Sequence, residues 1–315
     1  MSTPAVSVVI PAFRVAAYIA ETLDSVLAQT CQDFEILVVN DGSPDTEALH
    51  AALAPFRERI LYVEQPQGGP SKARNTAIGA ARGDLLAFLD GDDLWTPTFL
   101  ASQLAILDRE SDAVLVWADS LPFGAGGDGA TLMTSSPPSG DCDIAALLTA
   151  RCVVITSTVV ARRRAVVEAG GFDETLHRCE DFDLWLRLAT RGRLLYTREV
   201  LGRRRLHAAS QSAAPAAMLR AQIAVRQRFV AMTPVGEAVR HLAEQADAQC
   251  EAEIALAEGH RLLAAGDARG ARQELTRAAQ ALPSFKLAAT LRLLAVAPSV
   301  AVALHRWRHG PQAHG

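Results

Sequence analysis

Three carboxylates, Asp90, Asp92 and Asp93, fall within four positions directly after the apolar run Leu85-Leu86-Ala87-Phe88-Leu89. A buried strand that stops in clustered acids builds a hard-cation site at its carboxyl end. Carboxylate oxygens suit Mg²⁺ or Mn²⁺, and an ion held by only one or two of them keeps room for substrate phosphates. Two further acidic positions could take part. Asp41 ends another apolar run, and Glu180-Asp181 open a helical pattern. Taken alone, a turn aspartate before Gly42 and acids favoured by a helix dipole would account for these two. A plain turn needs neither the third acid of the first cluster nor the apolar run leading into it.

The elements that must position these acids alternate between strand and helix. Residues 6–10 are a short buried strand that Pro11 stops. Residues 16–29 are helical, with Ile19, Leu23, Val26 and Leu27 on one face. Residues 34–39 form the next strand, ending in the turn Asn40-Asp41-Gly42-Ser43. A helix to about 57, a strand at 60–64, a helix at 71–81 and a strand at 85–89 follow. This alternation predicts a mainly parallel sheet with helices on both faces. Ligands of such sheets sit beyond the carboxyl ends of the strands. Pro11, Asp41 and Asp90 to Asp93 all follow strand ends, so they are expected on one rim. Further on, residues 97–108 read as helix, 113–117 as strand and 120–141 as a long loop rich in Gly, Ser and Pro. Residues 153–161 read as strand, 165–173 as a short helix with a glycine stop, 180–191 as helix, and 194–206 as a strand pair.

From about residue 213 the chain turns to alanine-rich helix. Gly259, Leu262, Gly266, Ala271, Leu275, Ala278 and Pro283 have the spacing of a tetratricopeptide helix pair, which residues 252–284 resemble. An ordinary helical hairpin would fit as well. Residues 286–308 are helical, basic and apolar with a break at Pro298. They either cap the helical region or lie on an anionic membrane surface.

The 315 residues suit one large domain with an appendage, and half of them are hydrophobic, enough for a sizeable core. A net charge of −4 points away from nucleic acid as a partner. Five scattered cysteines with no Cys-x-x-Cys pair fit reduced thiols in a cytosol. No signal peptide pattern precedes the first strand, and no apolar run is long enough to span a bilayer.

The acidic constellations, in order and separated by βα units, resemble the family 2 glycosyltransferases over about residues 5–212. The resemblance rests on six segments of the sequence. They are Val6-Ser7-Val8-Val9-Ile10-Pro11-Ala12-Phe13, Asp33-Phe34-Glu35-Ile36-Leu37-Val38-Val39-Asn40-Asp41-Gly42-Ser43, Lys72-Ala73-Arg74-Asn75, Phe88-Leu89-Asp90-Gly91-Asp92-Asp93, Gly170-Gly171-Phe172-Asp173-Glu174 and Glu180-Asp181-Phe182-Asp183-Leu184-Trp185. Each segment is weak alone, and the set in order is specific.

The resemblance implies the GT-A fold over residues 1–212, Rossmann-like with helices flanking a mainly parallel sheet, and an all-α region over 213–315. It implies an inverting transferase that takes a nucleotide-sugar donor, of UDP-sugar class, and passes the sugar to a glycan or lipid-linked acceptor. By that likeness Asp92 is the direct metal ligand of a DxD pair, and Asp90 holds the ribose or the metal's water shell. Asp93 then orients these two or caps the next segment. Asp41 binds the nucleobase, and Pro11 and Phe13 line the same crevice. Arg74 approaches the donor phosphates or braces Asp41. Asp181 is the base that takes the acceptor's proton, Glu180 contacts the acceptor, and Trp185 walls the acceptor pocket or packs in the core. His207 is a third metal ligand, and Arg203, Arg204 and Arg205 add phosphate contacts. Phe13-Arg14 departs from the Tyr-Asn common at this point of the family.

Two other readings use the same residues. A sugar nucleotidyltransferase would share sheet and metal, but its triphosphate loop needs glycine, and residues 11–16 contain none. An inactive sugar-nucleotide-binding scaffold would act through the helical region, against which the intact Asp90, Asp92 and Asp181 set argues. The expected location is cytoplasmic, with the C-terminal helices as the place where a membrane or another protein could be met.

Overall fold

The computed structural model describes residues 3–124, 140–206 and 215–309. The chain divides into two compact units, Met1–Ala213 and Ala214–Gly315. The first opens with β1 (Val6–Ala12), α1 (Ile19–Leu27), β2 (Phe34–Asp41), α2 (Thr46–Leu53), β3 (Ile60–Gln65), α3 (Pro70–Ala80) and β4 (Leu85–Phe88). It continues with β5 (Leu94–Trp95), α4 (Phe99–Arg109), β6 (Ala113–Gly124), β7 (Gly140–Asp141), α5 (Ile144–Leu148), β8 (Val159–Arg162), α6 (Arg163–Glu168), α7 (Glu180–Ala189) and β9 (Arg193–Leu206).

These strands form one mixed sheet in the order β3-β2-β1-β4-β8-β6-β9-β5, with β7 paired to β9. The first four neighbours are parallel throughout, as the βα alternation predicts. β8 then enters antiparallel between β4 and β6. The central strands are buried on both faces, which explains their unbroken apolar runs. Val6, Val8 and Ile10 turn to one side and pack with Ile19 and Leu23 of α1, while Val9 is equally inaccessible. On α3 the buried small residues Ala73 and Ala77 let the helix lie close on β1 and β2.

Two departures from the sequence reading have local causes. β6 runs on to Gly124, taking in residues expected in the long loop; residues 125–139 lie outside those described. The expected strand pair over 194–206 is a single strand, β9, of 14 residues. Its polar Arg198-Glu199 interruption is absorbed by register shifts against β6, where Ala118 pairs with Thr197 but Asp119 with Val200. An extra residue in a ladder bends a strand without ending it.

The second unit contains α8 (Pro215–Met232), α9 (Glu237–Ala265), α10 (Ala268–Ala281), α11 (Phe285–Val296) and α12 (Pro298–His309). Gly259 lets α10 approach α9, since a Cβ there would sit 2.6 Å from the Leu275 side chain. Gly266 (φ +95°) ends α9, and the Asp267 carboxylate accepts from the Gly270 N–H to start α10. Leu287, Leu294 and Ala301 of the last two helices join this core, so the basic, apolar end of the chain does cap the helix pair with one of its faces.

Candidate functional site

The rim at the carboxyl ends of β1, β2 and β4 gathers the acids. After β4 the chain turns through Asp90-Gly91-Asp92-Asp93 into β5. The turn lies against β1, since a Cβ on Gly91 would come within 3.2 Å of the Pro11 carbonyl oxygen. Thr22 of α1 donates its hydroxyl to the Gly91 carbonyl at 3.1 Å.

Asp93 is buried and holds the turn to the rest of the sheet. It accepts from the Ser157 hydroxyl at 2.6 Å and from the Arg205 N–H at 2.8 Å. Burial, then the neighbouring charges of Asp90 and Asp92, push its carboxyl up to about 7. It caps no helix; α4 starts after Thr98. Asp93 therefore steadies Asp90 and Asp92 from behind. The Arg205 side chain also engages the turn. Its Nε donates to the Asp92 carbonyl at 2.9 Å, another nitrogen pairs with Glu21, and its plane lies over Tyr18 and Phe123. Arg203 also stacks on Phe123. Of the three arginines expected near phosphate, Arg205 is the one engaged in holding the turn.

Arg74, from α3, joins two regions far apart in sequence. One guanidinium nitrogen is 2.7 Å from Asp90 and another 3.0 Å from Glu180, and the group lies over the Phe172 ring. It does not brace Asp41, because these two acids take its ends. Burial works against its charge, and Asp90 and Glu180 more than offset that and raise its pKa above the usual range. Glu180 is buried as well. Burial and the Asp181 charge raise its pKa, with Arg74 opposing. A Glu180 spent on Arg74 is a structural partner of the guanidinium, which weakens its expected contact with the acceptor.

The chain enters α7 through Cys179 in the left-handed region (φ +58°), a strained conformation for a residue with a Cβ. That sharp entry puts Glu180 and Asp181 in the first helical turn. Asp181 is half-buried. One of its oxygens accepts from the Thr156 hydroxyl at 3.0 Å and the other from the Phe182 N–H at 2.7 Å. Thr156 and Ser157 are adjacent in a 3₁₀ turn before β8. Through them one short turn holds Asp181 on one side and Asp93 on the other, and the Asp90 N–H donates to the same Ser157 hydroxyl at 3.2 Å. Sequence reasoning missed both residues. Their only signal was a Thr-Ser-Thr run at the start of a strand.

Two of the quoted motifs turn out to be joints. Asn75 donates to the Phe172 carbonyl at 2.8 Å and accepts from the Phe172 N–H at 2.9 Å. Gly171 (φ +68°) leaves room for it, since a Cβ there would sit 2.7 Å from the Asn75 oxygen. Trp185 is 2% exposed and packs edge-on against Phe88 and Phe172. It is core beneath the site, and the expected acceptor wall is corrected accordingly.

Asp41, at the end of β2, accepts from Gln65 at 2.7 Å and from the Gly68 and Gly69 N–H groups at 2.9 and 2.7 Å. It thereby shapes the loop between β3 and α3. A carboxylate has about four acceptor positions, so one is left for a ligand. Pro11 and Phe13 are partly exposed beside it, and the Arg14 guanidinium lies over the Phe13 ring. His207 falls outside the described residues.

Among the described residues no three acidic, histidine or cysteine side chains converge as a metal cage. Mg²⁺ and Mn²⁺ do not require one, being commonly held by one or two carboxylates plus substrate phosphates. The donor set fits such an ion. Asp90 and Asp92 supply oxygen, the Asp90 side chain is 38% exposed, and the charges of both add to burial in raising the Asp93 carboxyl behind them.

Comparison with known proteins bears on this arrangement. The family described as glycosyl transferase family 2 matches residues 7–137, and glycosyltransferase-like family 2 matches residues 140–210. An uncharacterised glycosyltransferase of Rickettsia prowazekii is 30% identical over 221 residues, which are 66% of this chain and 65% of that protein. The succinoglycan biosynthesis protein ExoW of Rhizobium meliloti is 41% identical over 117 residues, 36% of each chain. The match covers only 34% and 30% of the longer uncharacterised glycosyltransferases of Rickettsia felis and Rickettsia bellii. In fold, the chain is similar to residues 1–349 of Staphylococcus aureus TarS, solved in complex with UDP-GlcNAc. The TM-score is 0.65 at 18% identity, covering 97% of this chain and 92% of that one. It is also similar to the mannosyltransferase PcManGT of Pyrobaculum calidifontis, solved with GDP-Man and Mn²⁺. There the TM-score is 0.61 at 18% identity, covering 98% and 89%.

Proposed function

This chain belongs to glycosyltransferase family 2 and has the GT-A fold, and on that premise we propose that it is an inverting, metal-dependent transferase. It moves a sugar from a nucleoside-diphosphate donor, of UDP-sugar class, to a hydroxyl of a glycan or lipid-linked acceptor. The observation that carries this reading is the Arg74 bridge. By holding Asp90 and Glu180 together, it brings the candidate metal turn and the candidate base, Asp181, to one rim.

Asp92, with Asp90 beside it, would hold the divalent ion. When bound, that ion neutralises the charge of the departing nucleoside diphosphate. The chain's own residues do the rest. Asp41 offers its remaining acceptor position to the nucleobase, next to Pro11 and Phe13. Asp181 takes the proton of the acceptor hydroxyl as that oxygen attacks the anomeric carbon from the face opposite the leaving group. A single displacement of this kind inverts the configuration. Thr156 and the Phe182 N–H fix the Asp181 carboxylate, each oxygen keeping a further lone pair for the incoming proton. Arg74 offsets part of the acid charge, so that the site is assembled before substrate arrives.

The test pairs two variants with donor sugars and Mn²⁺. Asp92→Asn is expected to abolish metal-dependent release of the nucleoside diphosphate. Asp181→Asn should bind donor normally, measured by calorimetry, and fail to transfer. Near-normal turnover in either would remove that residue's role. Release of pyrophosphate by the wild type would instead indicate a nucleotidyltransferase.

A further inference from the structure

We propose that the outward face of α11 and α12 is a docking surface for an anionic lipid bilayer. This deepens the expectation of a membrane contact, and it does not depend on the transfer chemistry. Residues 283–315 contain four basic side chains, Lys286, Arg292, Arg306 and Arg308, and no acidic one. The rest of the chain is net acidic, because the whole carries −4. Positive charge is thus segregated to one end of an acidic protein.

Apolar exposure is concentrated in the same place. Among the described residues, five of the nine large exposed apolar side chains are Phe285, Val296, Val300, Leu304 and Trp307. Val300, Leu304 and Trp307 are spaced four and three apart along α12, which sets them on one side of the helix. They are 54%, 45% and 81% exposed. The opposite side is already satisfied, with Leu287, Leu294 and Ala301 in the helical core and Arg306 donating to the Ala264 carbonyl at 2.8 Å. The stripe is therefore surplus to the packing of its own unit. Scattered exposed apolar residues call for no partner, but a helical stripe of them does.

Charge decides which partner. A second copy of the chain would bring the exposed Lys286 and Arg292 of one face against the same two of the other. An anionic bilayer complements the charge, accepts the apolar stripe at the headgroup boundary, and suits a tryptophan at the end of the helix. No described helix is long and apolar enough to cross a membrane, so the contact is one that lies on the surface.

The molecule carries its own probe. Of its four tryptophans, Trp95, Trp117 and Trp185 are buried and Trp307 is exposed. The intact chain should be mixed with vesicles of phosphatidylcholine alone and of phosphatidylcholine with phosphatidylglycerol. With the anionic vesicles, co-sedimentation, a blue shift in tryptophan emission and protection from acrylamide are expected, all weakened by salt. Leu304→Asp should lower the partition coefficient by about tenfold or more, and Arg292→Gln by about fivefold, both with unchanged melting temperature and donor turnover. Equal binding to uncharged vesicles would overturn the proposal. So would wild-type partition in Leu304→Asp, or a dimer that this variant disrupts while vesicles go unbound. A protein that docks but transfers no sugar would count against the transferase reading alone.

Discussion

Replacing Arg74 with methionine keeps an apolar stem and deletes the guanidinium that joins α3 to the two acidic regions. Two ion pairs are lost, at 2.7 Å to Asp90 and 3.0 Å to Glu180. The consequences differ at the two ends. The Asp90 side chain is 38% exposed and can be hydrated, whereas that of Glu180 is 9% exposed and cannot. The cost therefore falls on Glu180, and stranding one member of a buried pair costs about 3–5 kcal/mol. For a unit of this size that corresponds to roughly 6–20 °C in melting temperature. The loss should also depend on pH. Burial and Asp181 already raise the Glu180 carboxyl, and Arg74 is what opposes them. Without Arg74 it rises further. An acid whose folded pKa exceeds its unfolded one favours the folded state when protonated, and that stability is lost as pH rises through the folded value. The deficit of Arg74→Met should thus be small at about pH 5 and grow towards about pH 8. Adding Glu180→Gln removes the stranded charge, so the double variant should recover much of the loss, with a coupling of about 1–3 kcal/mol. Urea unfolding of the wild type, both single variants and the double variant at the two pH values measures all of this. A deficit that is larger in acid, or that Glu180→Gln leaves untouched, would refute the reasoning.

Two further outcomes follow from the turn before β8. Thr156→Val removes the hydroxyl on Asp181 at nearly constant volume. The kcat should fall about tenfold or more with donor KM unchanged, and Thr156→Ser should retain most of the activity; equal losses in the two variants would show that the hydroxyl is not what matters. Asp93, with its carboxyl raised to about 7 by burial and by Asp90 and Asp92, should make the metal-free protein less stable as pH climbs from about 5 to 8. Its folded pKa lies above the unfolded one, so the stability it confers is present in acid and is lost on deprotonation. Melting curves in a chelator should show Asp93→Asn flattening that decline, and parallel pH profiles for the two proteins would contradict the assignment.

How much of this could be read from the residues depends on the range of the interaction. The strands β1, β2 and β4 are legible because burial on both faces demands unbroken apolar runs, which are local patterns. So is the shared rim, since parallel βα units put every strand end on one side. β6 beyond Trp117 was not legible. Its Ser-Leu-Pro-Phe-Gly end has loop composition, and it is a strand only because β9 pairs along its whole length. The candidate site divides in the same way. Asp41, Asp90, Asp92 and Asp181 could be found from strand ends and a helix start. Their partners could not. Nothing local in Arg74 says that it reaches both Asp90 and Glu180, which lie 16 and 106 residues away. Nothing local in Thr156-Ser157 says that it holds two acids from different parts of the chain. Trp185 stayed open between pocket wall and core for the same reason, because its packing on Phe88 and Phe172 is set by long-range contacts.

The motifs that carry the family resemblance are therefore of two physical kinds. Asp90, Asp92 and Asp181 remain partly accessible at the rim. Asp93, Asn75, Arg74 and Gly171 are turned inwards, each meeting a segment that is remote in sequence. The second kind explains why the spacing of the first kind can be strict. Several carboxylates crowded at a strand end repel one another, and an unsupported turn would relax by swinging them apart into water. Here that route is closed. Asp93 is held by Ser157 and the β9 backbone, Arg74 ties Asp90 to α7, and Asn75 grips the turn that leads towards Cys179. The repulsion is retained in the fold, where the charges of Asp90 and Asp92 add to burial in raising the Asp93 carboxyl. A divalent cation is the ligand that relieves it most directly, so the strain that the inward-facing residues maintain is itself an argument for metal at the outward-facing ones.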